Sequence, residues 1–119
     1  MILFDTNVLI DFWRKPEELL KFKKTSEKFA ICGPVKTELL HSSKNDDEID
    51  KMLNFFTTFE LIPLDEYDFE FAGIMLNTLK HRGFALPVMD VLIAYTAIKH
   101  NIPLWTKDSH FKHIQALYP

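Results

Sequence analysis

The hydrophobic residues of this chain follow two patterns that alternate along its 119 positions. Four short apolar runs have the length of buried strands. They are MILF (1–4), FAIC (29–32), ELIPL (60–64) and IPLWT (102–106). The segments between them carry apolar residues three or four positions apart, which is the spacing of amphipathic helices. Strands that alternate with such helices predict an α/β fold with a parallel sheet covered on both faces.

The clearest predicted helix spans residues 66–82. Its apolar face is predicted to contain Phe69, Ala72, Leu76 and Leu79. Basic residues fill its last turn and Gly83 follows, as expected for a helix C-terminus. A polar loop is predicted at 41–48, with Asn45 or Asp46 as the N-cap of the next helix. Further helices are predicted within residues 6–13, 16–29, 33–43, 47–59 and 87–101, with a short helical turn at 109–114.

Length and composition indicate one globular domain over residues 1–119. Hydrophobic residues make up 47% of the chain and charged residues 26%, the balance of an ordinary folded protein. No apolar run reaches the roughly 18 residues of a membrane span, and the N-terminus lacks the basic segment of a signal peptide. The single cysteine, Cys32, is predicted to be a buried thiol. We therefore expect a cytoplasmic location and no membrane contact.

The formal net charge of −3 argues mildly against a general nucleic-acid binder, because such proteins usually carry a basic excess. That argument weakens if some of the carboxylates hold metal. Two bound divalent cations would bring the net charge to about +1, since bound ions count in the local field. Net charge therefore does not exclude a nuclease.

Carboxylates follow two of the predicted strands, and two more lie near the starts of helices. Asp5 comes directly after MILF, and Asp108 follows IPLWT. Glu38 lies in the helix after the second strand, and Asp90 lies near the start of the helix before the fourth. In a parallel sheet, strands end and helices begin at the same edge, so all four acids are expected at one rim. Clustered oxygen ligands favour a hard cation such as Mg²⁺ or Mn²⁺.

Each acid also has a simpler interpretation. Asp5 and Asp108 can be helix N-caps. Asp90 can favour a helix N-terminus, and Glu38 can be a solvated helical residue. For Asp5 and Asp108, capping and metal binding are equally good interpretations. For Glu38 and Asp90, the structural interpretation is favoured when each residue is considered alone.

The motifs MILFDTNVLID, PVKTELL and LPVMDVLIAYTAIKHNIPLWTKDSHF resemble those of the PIN domain, and specifically of VapC-type toxins of bacterial toxin–antitoxin pairs. The resemblance extends from Met1 to about Phe111. It implies a three-layer α/β/α sandwich. It also implies an endoribonuclease that uses Mg²⁺ or Mn²⁺ and leaves 5′-phosphate and 3′-hydroxyl ends. The family pattern further implies a homodimer that a cognate antitoxin inhibits.

The resemblance also assigns roles to residues. Asp5, Asp90 and Asp108 would hold the metal, and Glu38 would either bind a second ion or position the attacking water. Polar support for these acids would come from Thr6 or Asn7 and from Thr106. Basic residues near the expected cleft are candidates to contact the RNA backbone, and surface charge is an equally good interpretation of each. They are Lys80, Arg82, Lys107 and Lys112.

The sequence departs from the family pattern at two places. The usual last edge strand is predicted to be short or absent, and Tyr95 stands where a small residue is common, so it is expected to narrow the site. His110 and His113 are interpreted as surface or cap residues, with no histidine in a general-base position. Most of the aromatic residues are expected in the core, and a surplus beyond the needs of one small core predicts an exposed partner surface. Its candidate residues are Phe12, Trp13, Phe22, Phe55, Phe56 and Phe59.

Two other function classes stay open at this point. The first is a catalytically silent PIN-like module that binds RNA or protein, against which the presence of all four acids argues. The second is a metal-dependent phosphohydrolase of small molecules. An aspartyl-phosphate phosphatase usually needs a second Asp two positions after the first, and that position is Asn7.

Overall fold

A computed structural model of the chain describes residues 1–23 and 27–118, together with all their side chains except those of Phe22, Lys23 and Ala116. The strands within these residues are β1 (Ile2–Phe4), β2 (Phe29–Cys32), β3 (Glu60–Ile62) and β4 (Leu104–Trp105). The helices are α1 (Thr6–Arg14), α2 (Pro16–Lys23), α3 (Gly33–His41), α4 (Asp46–Phe56), α5 (Glu66–His81), α6 (Val88–His100) and α7 (His110–Leu117). Part of the helix predicted over 16–29 lies outside the described residues.

The four described strands form one parallel sheet in the order β3-β2-β1-β4. Leu3 of β1 pairs with Ala30 on one side and with Leu104 on the other. Strands β2 and β3 lie on one side of β1, and β4 lies on the other side. Since the order reverses between β1 and β4, the crevice outside the ends of these two strands is where ligands bind in such sheets. The predicted α/β fold is confirmed, and no described strand follows α7.

Local sequence signals explain where the helices begin and end. Asn45 caps α4 as predicted, because its side chain accepts the N–H of Glu48 at 2.9 Å. Asp65 and Asp68 form a reciprocal capping box at the start of α5. Gly83 has a φ of 91°, the left-handed conformation that glycine adopts without a steric penalty after a helix.

The core is built around Phe4 at the centre of the sheet. Its side chain is fully buried, and its ring packs against other aromatic rings at centroid distances of 5.0–6.1 Å. These rings belong to Phe12, Phe29, Phe59 and Trp105. The predicted aromatic partner surface is therefore wrong for the residues that the structure describes, since Phe12, Phe56 and Phe59 are buried and Trp13 and Phe55 are partly buried. The Phe22 side chain lies outside the described part.

The buried face of α5 agrees with the prediction at Ala72 and Leu79 and differs from it at the other two positions. Asp68, Ala72, Met75 and Leu79 are buried, whereas Phe69 is 53% exposed. The reason is electrostatic, because Asp68 accepts hydrogen bonds from Lys99 at 2.5 Å and Tyr95 Oη at 3.0 Å, both on α6. Tyr95 therefore faces α5, and the prediction that it narrows the acidic site is wrong.

The pairing of Asp68 predicts a stability change in acid. Lys99, the Asp65 backbone and Tyr95 lower the pKa of Asp68 from 3.8 to about 2. A lowered folded-state pKa contributes stability that is present above pH 3.8 and is lost as the pH falls toward 2. The wild-type melting temperature should therefore fall more steeply between pH 4 and pH 2 than that of Asp68→Asn, measured by circular dichroism. Parallel curves for the two proteins would contradict this assignment.

The burial of Cys32 and the character of the helices bear on two further expectations. Cys32 is fully buried as predicted, and burial raises the pKa of its thiol to about 11. Among the described helices, none has the length and apolar character needed to cross a membrane.

Candidate active site

Asp5 lies at the centre of the rim formed by the carboxyl ends of β1 and β4. Its backbone N–H donates to the carbonyl of Trp105 at 3.0 Å, which fixes the ends of the two strands side by side. Its side chain is 4% exposed and caps α1, because Oδ1 accepts the N–H of Thr6 at 2.7 Å. The capping role is therefore real, and it holds the carboxylate at the crevice in a fixed orientation.

Thr106 connects Asp5 to Asp108. Its hydroxyl donates to Oδ2 of Asp5 at 2.6 Å and accepts the backbone N–H of Asp108 at 2.9 Å. The second contact is a hydroxyl–backbone turn two residues long, a conformation that threonine favours. One side chain thus positions an acid from each of the two strand ends.

Glu38 reaches the same rim from α3. Its Oε1 accepts the hydroxyl of Thr6 at 2.8 Å, so Thr6 contacts Asp5 through its backbone and Glu38 through its side chain. The second predicted supporting residue, Asn7, accepts the backbone N–H of Lys107 at 3.3 Å and joins α1 to the segment after β4. Thr6 and Thr106 thus contact the acids directly, and Asn7 aligns the backbone around them.

Asp90 and Asp108 meet at the imidazole of His110. Asp90 is 8% exposed and lies in the first turn of α6. The Nδ1 atom of His110 lies 3.0 Å from Oδ2 of Asp90 and 3.2 Å from Oδ1 of Asp108. The same Oδ1 of Asp108 accepts the backbone N–H of His110 at 2.9 Å, at the first residue of α7. Asp108 therefore also satisfies a helix-terminal donor.

The four acids share one electrostatic environment. Burial raises the pKa of Asp5, the negative charges of Asp90 and Asp108 add to this effect, and hydrogen bonds from Thr106 and Thr6 oppose it. The pKa of Glu38 is raised as well, first by burial and then by the other three carboxylates, and its hydrogen bond from Thr6 opposes the rise. The pKa of His110 is raised by its hydrogen bond to Asp90 and by the charge of Asp108. The site is a region of negative potential that favours a cation.

The donor atoms fit a divalent cation. Asp90, Asp108 and His110 each offer a ligand atom, and these atoms lie within 4.8 Å of one another. Asp5 and Glu38 lie outside this closest set, and the charge of Asp5 contributes to the raised pKa of Glu38. Carboxylate oxygens suit hard divalent ions, and an added imidazole nitrogen suits transition metals. The arrangement can thus hold a metal at the rim.

Three of the four predicted RNA-contacting residues are exposed side chains near helix ends, and the fourth, Lys107, is held in an ion pair. Lys107 pairs through Nζ with Asp11 of α1. Lys112 is exposed on α7, which begins at the acidic rim. Lys80 and Arg82 are exposed at the end of α5, and the following Phe84 stacks on His113 of α7 at 4.5 Å. A role for any of them in RNA binding stays a prediction.

His110 is the site residue that the sequence interpretation missed. His110 is exposed at the surface as expected, but its ring also contacts two of the four acids. Its side chain is 47% exposed, so burial gives no signal. The available clue is the short spacing between Asp108 and His110 at the start of a helix. Side chains in a helix tilt toward its N-terminus, so the first ones lie near the end of the preceding strand.

Thr106 offers a direct test of how the site is held together. Replacing it by valine should lower the free energy of unfolding by about 1–3 kcal/mol, because a buried carboxylate loses a donor. Thr106→Ser keeps the hydroxyl and should restore most of the loss. Urea denaturation of both variants measures the effect, and a Thr106→Val protein as stable as the wild type would contradict it.

Comparison with known proteins places this chain among related sequences. Residues 2–117 match the family described as PIN domain. Ribonuclease VapC1 of Methanocaldococcus jannaschii is 35% identical over 118 residues, an alignment that covers 96% of this chain and 81% of that protein.

Solved structures have the same fold. A VapBC2 structure from Rickettsia felis, bound to a DNA fragment from its promoter, matches with a TM-score of 0.77 and 26% identity, covering 96% of this chain and 93% of that one. VapBC-1 from nontypeable Haemophilus influenzae matches with a TM-score of 0.78 and 21% identity, covering 98% and 94%. The second likeness is evidence of fold alone.

Proposed function

The chain belongs to the PIN domain family, and from this we propose that it is a metal-dependent endoribonuclease that acts as the toxin of a toxin–antitoxin pair. The observation that carries the proposal is the meeting of four carboxylates from β1, α3, α6 and the segment after β4 at one rim. The ribonuclease name of the 35% identical relative supports the reaction class. The VapBC2 structure from Rickettsia felis, at 26% identity, supports an antitoxin partner.

We propose Mg²⁺ or Mn²⁺ as the ion, held by Asp5, Asp90 and Asp108. A divalent ion supplies Lewis-acid activation of water and charge stabilisation at the phosphate. Glu38, fixed by Thr6, lies where it can position the attacking water or bind a second ion. Because water and not the ribose hydroxyl attacks in this scheme, the products carry 5′-phosphate and 3′-hydroxyl ends.

The shape of the rim suits a polymer. Asp5 and Asp90 are buried, whereas Glu38 and Asp108 are partly exposed, so the cluster opens to solvent on one side. A strand of RNA can cross such a rim with one phosphate over the acids. The proposed contacts for the flanking phosphates are Lys112 on α7 and the exposed Lys80 and Arg82. Lys107 is a further candidate if its ion pair with Asp11 breaks when RNA binds.

Partner and location are also proposed. A second copy of the chain and a cognate antitoxin are the protein partners that the resemblance implies, and the VapBC2 structure supports the antitoxin. The exposed residues Tyr67, Phe69, Phe71 and Ile74 on α5 show that apolar surface remains uncovered on the chain. A cytoplasmic location and a single domain over residues 1–119 stay predictions.

The proposal is tested with purified protein and total bacterial RNA. In Mn²⁺ or Mg²⁺ we expect discrete RNA fragments that EDTA prevents, and no hydrolysis of p-nitrophenyl phosphate. Hydrolysis of the phosphomonoester without RNA cleavage would instead indicate the small-molecule phosphohydrolase. Retention of RNA on the protein without fragments would indicate the silent binding module.

A further inference from the structure

The imidazole of His110 occupies a position between two acids that come from different elements. Asp90 belongs to α6 and Asp108 to the segment after β4, and one ring nitrogen is 3.0 Å and 3.2 Å from their carboxylate oxygens. Both the ring and the backbone of His110 are held by these acids, because its backbone N–H also donates to Asp108. Nδ1 of the ring is therefore directed at the carboxylates, although the side chain as a whole is 47% exposed.

These distances match the spacing of neighbouring ligands around a metal. Two ligands at right angles, each about 2.1 Å from an ion in octahedral geometry, are about 3.0 Å apart. Nδ1 of His110 has this separation from one oxygen of Asp90 and nearly the same from one oxygen of Asp108. The nitrogen and the two oxygens all lie within 4.8 Å of one another, so one ion can contact all three.

We propose that Nδ1 of His110 is a metal ligand beside Asp90 and Asp108, and that it gives the site a preference for Mn²⁺ over Mg²⁺. The inference rests on the proposed function, since it concerns the same site. Imidazole binds first-row transition ions well, whereas Mg²⁺ strongly prefers oxygen. The ring then carries its proton on Nε2, and the lone pair of Nδ1 faces the ion.

The test uses the full chain and Mn²⁺ itself as the probe. Pulsed electron paramagnetic resonance of the Mn²⁺ complex reports whether a ¹⁴N nucleus is bound to the ion. We expect a histidine nitrogen coupling in the wild type and its loss in His110→Asn, which offers an amide oxygen in place of nitrogen. The affinity for Mn²⁺ should fall at least about tenfold in this variant, with a smaller change for Mg²⁺ measured by competition.

His113→Asn is the matched control. This residue lies one turn later on α7 and stacks on Phe84, outside the acidic cluster. The control should keep both the nitrogen coupling and the Mn²⁺ affinity of the wild type. A change that merely disturbs α7 should affect both variants, whereas loss of a ligand affects only His110→Asn.

The outcomes separate this proposal from the proposed function. Mn²⁺ bound without nitrogen coupling to a wild type that still cleaves RNA overturns the role of His110 and leaves the ribonuclease intact. Coupling that persists in His110→Asn also overturns it, because the nitrogen then comes from another group. A wild type that neither binds Mn²⁺ nor cleaves RNA overturns both.

Discussion

Asp90→Asn should reduce RNA cleavage at least about 100-fold while the chain remains folded. Asparagine keeps the size of the side chain and removes the charge that faces His110 and that would face the proposed ion. Asp90 also raises the pKa of both Asp5 and Glu38, so its neutralisation relieves repulsion inside the cluster. We therefore expect Asp90→Asn to lower the cleavage rate far more than the melting temperature, as at other functional sites where like charges lie close together.

Initial cleavage rates on one RNA at saturating Mn²⁺ measure this effect, with the melting temperature recorded in parallel. Asp50→Asn is the control, because Asp50 is an exposed acid on α4 and its change removes the same unit of charge. We expect the control to cleave at the wild-type rate. An Asp90→Asn protein within about threefold of the wild-type rate would contradict the assignment of Asp90 to the site.

The largest loss of stability is expected from Phe4→Ala. Phe4 is fully buried and contacts aromatic rings from the sheet, α1 and the segment before β3. Removing a buried phenyl ring costs about 3–5 kcal/mol, from lost transfer free energy and the cavity that remains. This is a large share of the roughly 5–15 kcal/mol by which a domain is stable.

Urea denaturation followed by tryptophan fluorescence measures the loss. Phe69→Ala is the comparison, because Phe69 is 53% exposed on α5 and should cost less than about 1 kcal/mol. Phe4→Leu leaves a smaller cavity and should give an intermediate loss, which keeps the prediction measurable if Phe4→Ala does not fold. Equal losses for Phe4→Ala and Phe69→Ala would contradict the description of the core.

The sequence predicted the fold well because the apolar runs and the cap residues act locally. The runs MILF and FAIC became β1 and β2, and Asn45 and Gly83 mark helix ends as expected. The convergence of Asp5 and Asp108 was also predictable, because it needs only the rule that parallel strands end at one edge.

Contacts between elements were harder to predict. Asp68 is buried because Lys99 and Tyr95 of α6 face it, and the pattern within α5 alone favoured Phe69 at the inner face. The sequence overestimates the aromatic surplus, because the size of the core around Phe4 depends on packing between elements that no single segment reveals. His110 was missed for the same kind of reason, since its partner Asp90 lies 20 residues away in the sequence.

The chemistry of the RNA ends tests the central claim most directly. The wild-type chain and Asp90→Asn are expressed in a bacterial host, and newly formed RNA ends are ligated to an adapter that requires a 5′-phosphate and are then sequenced. We predict new 5′-phosphate ends at defined sites with the wild type alone, together with arrested growth. Identical end profiles for the two proteins, or new ends that can be ligated only after a kinase has phosphorylated a 5′-hydroxyl, would contradict a metal-dependent endoribonuclease built on this acidic rim.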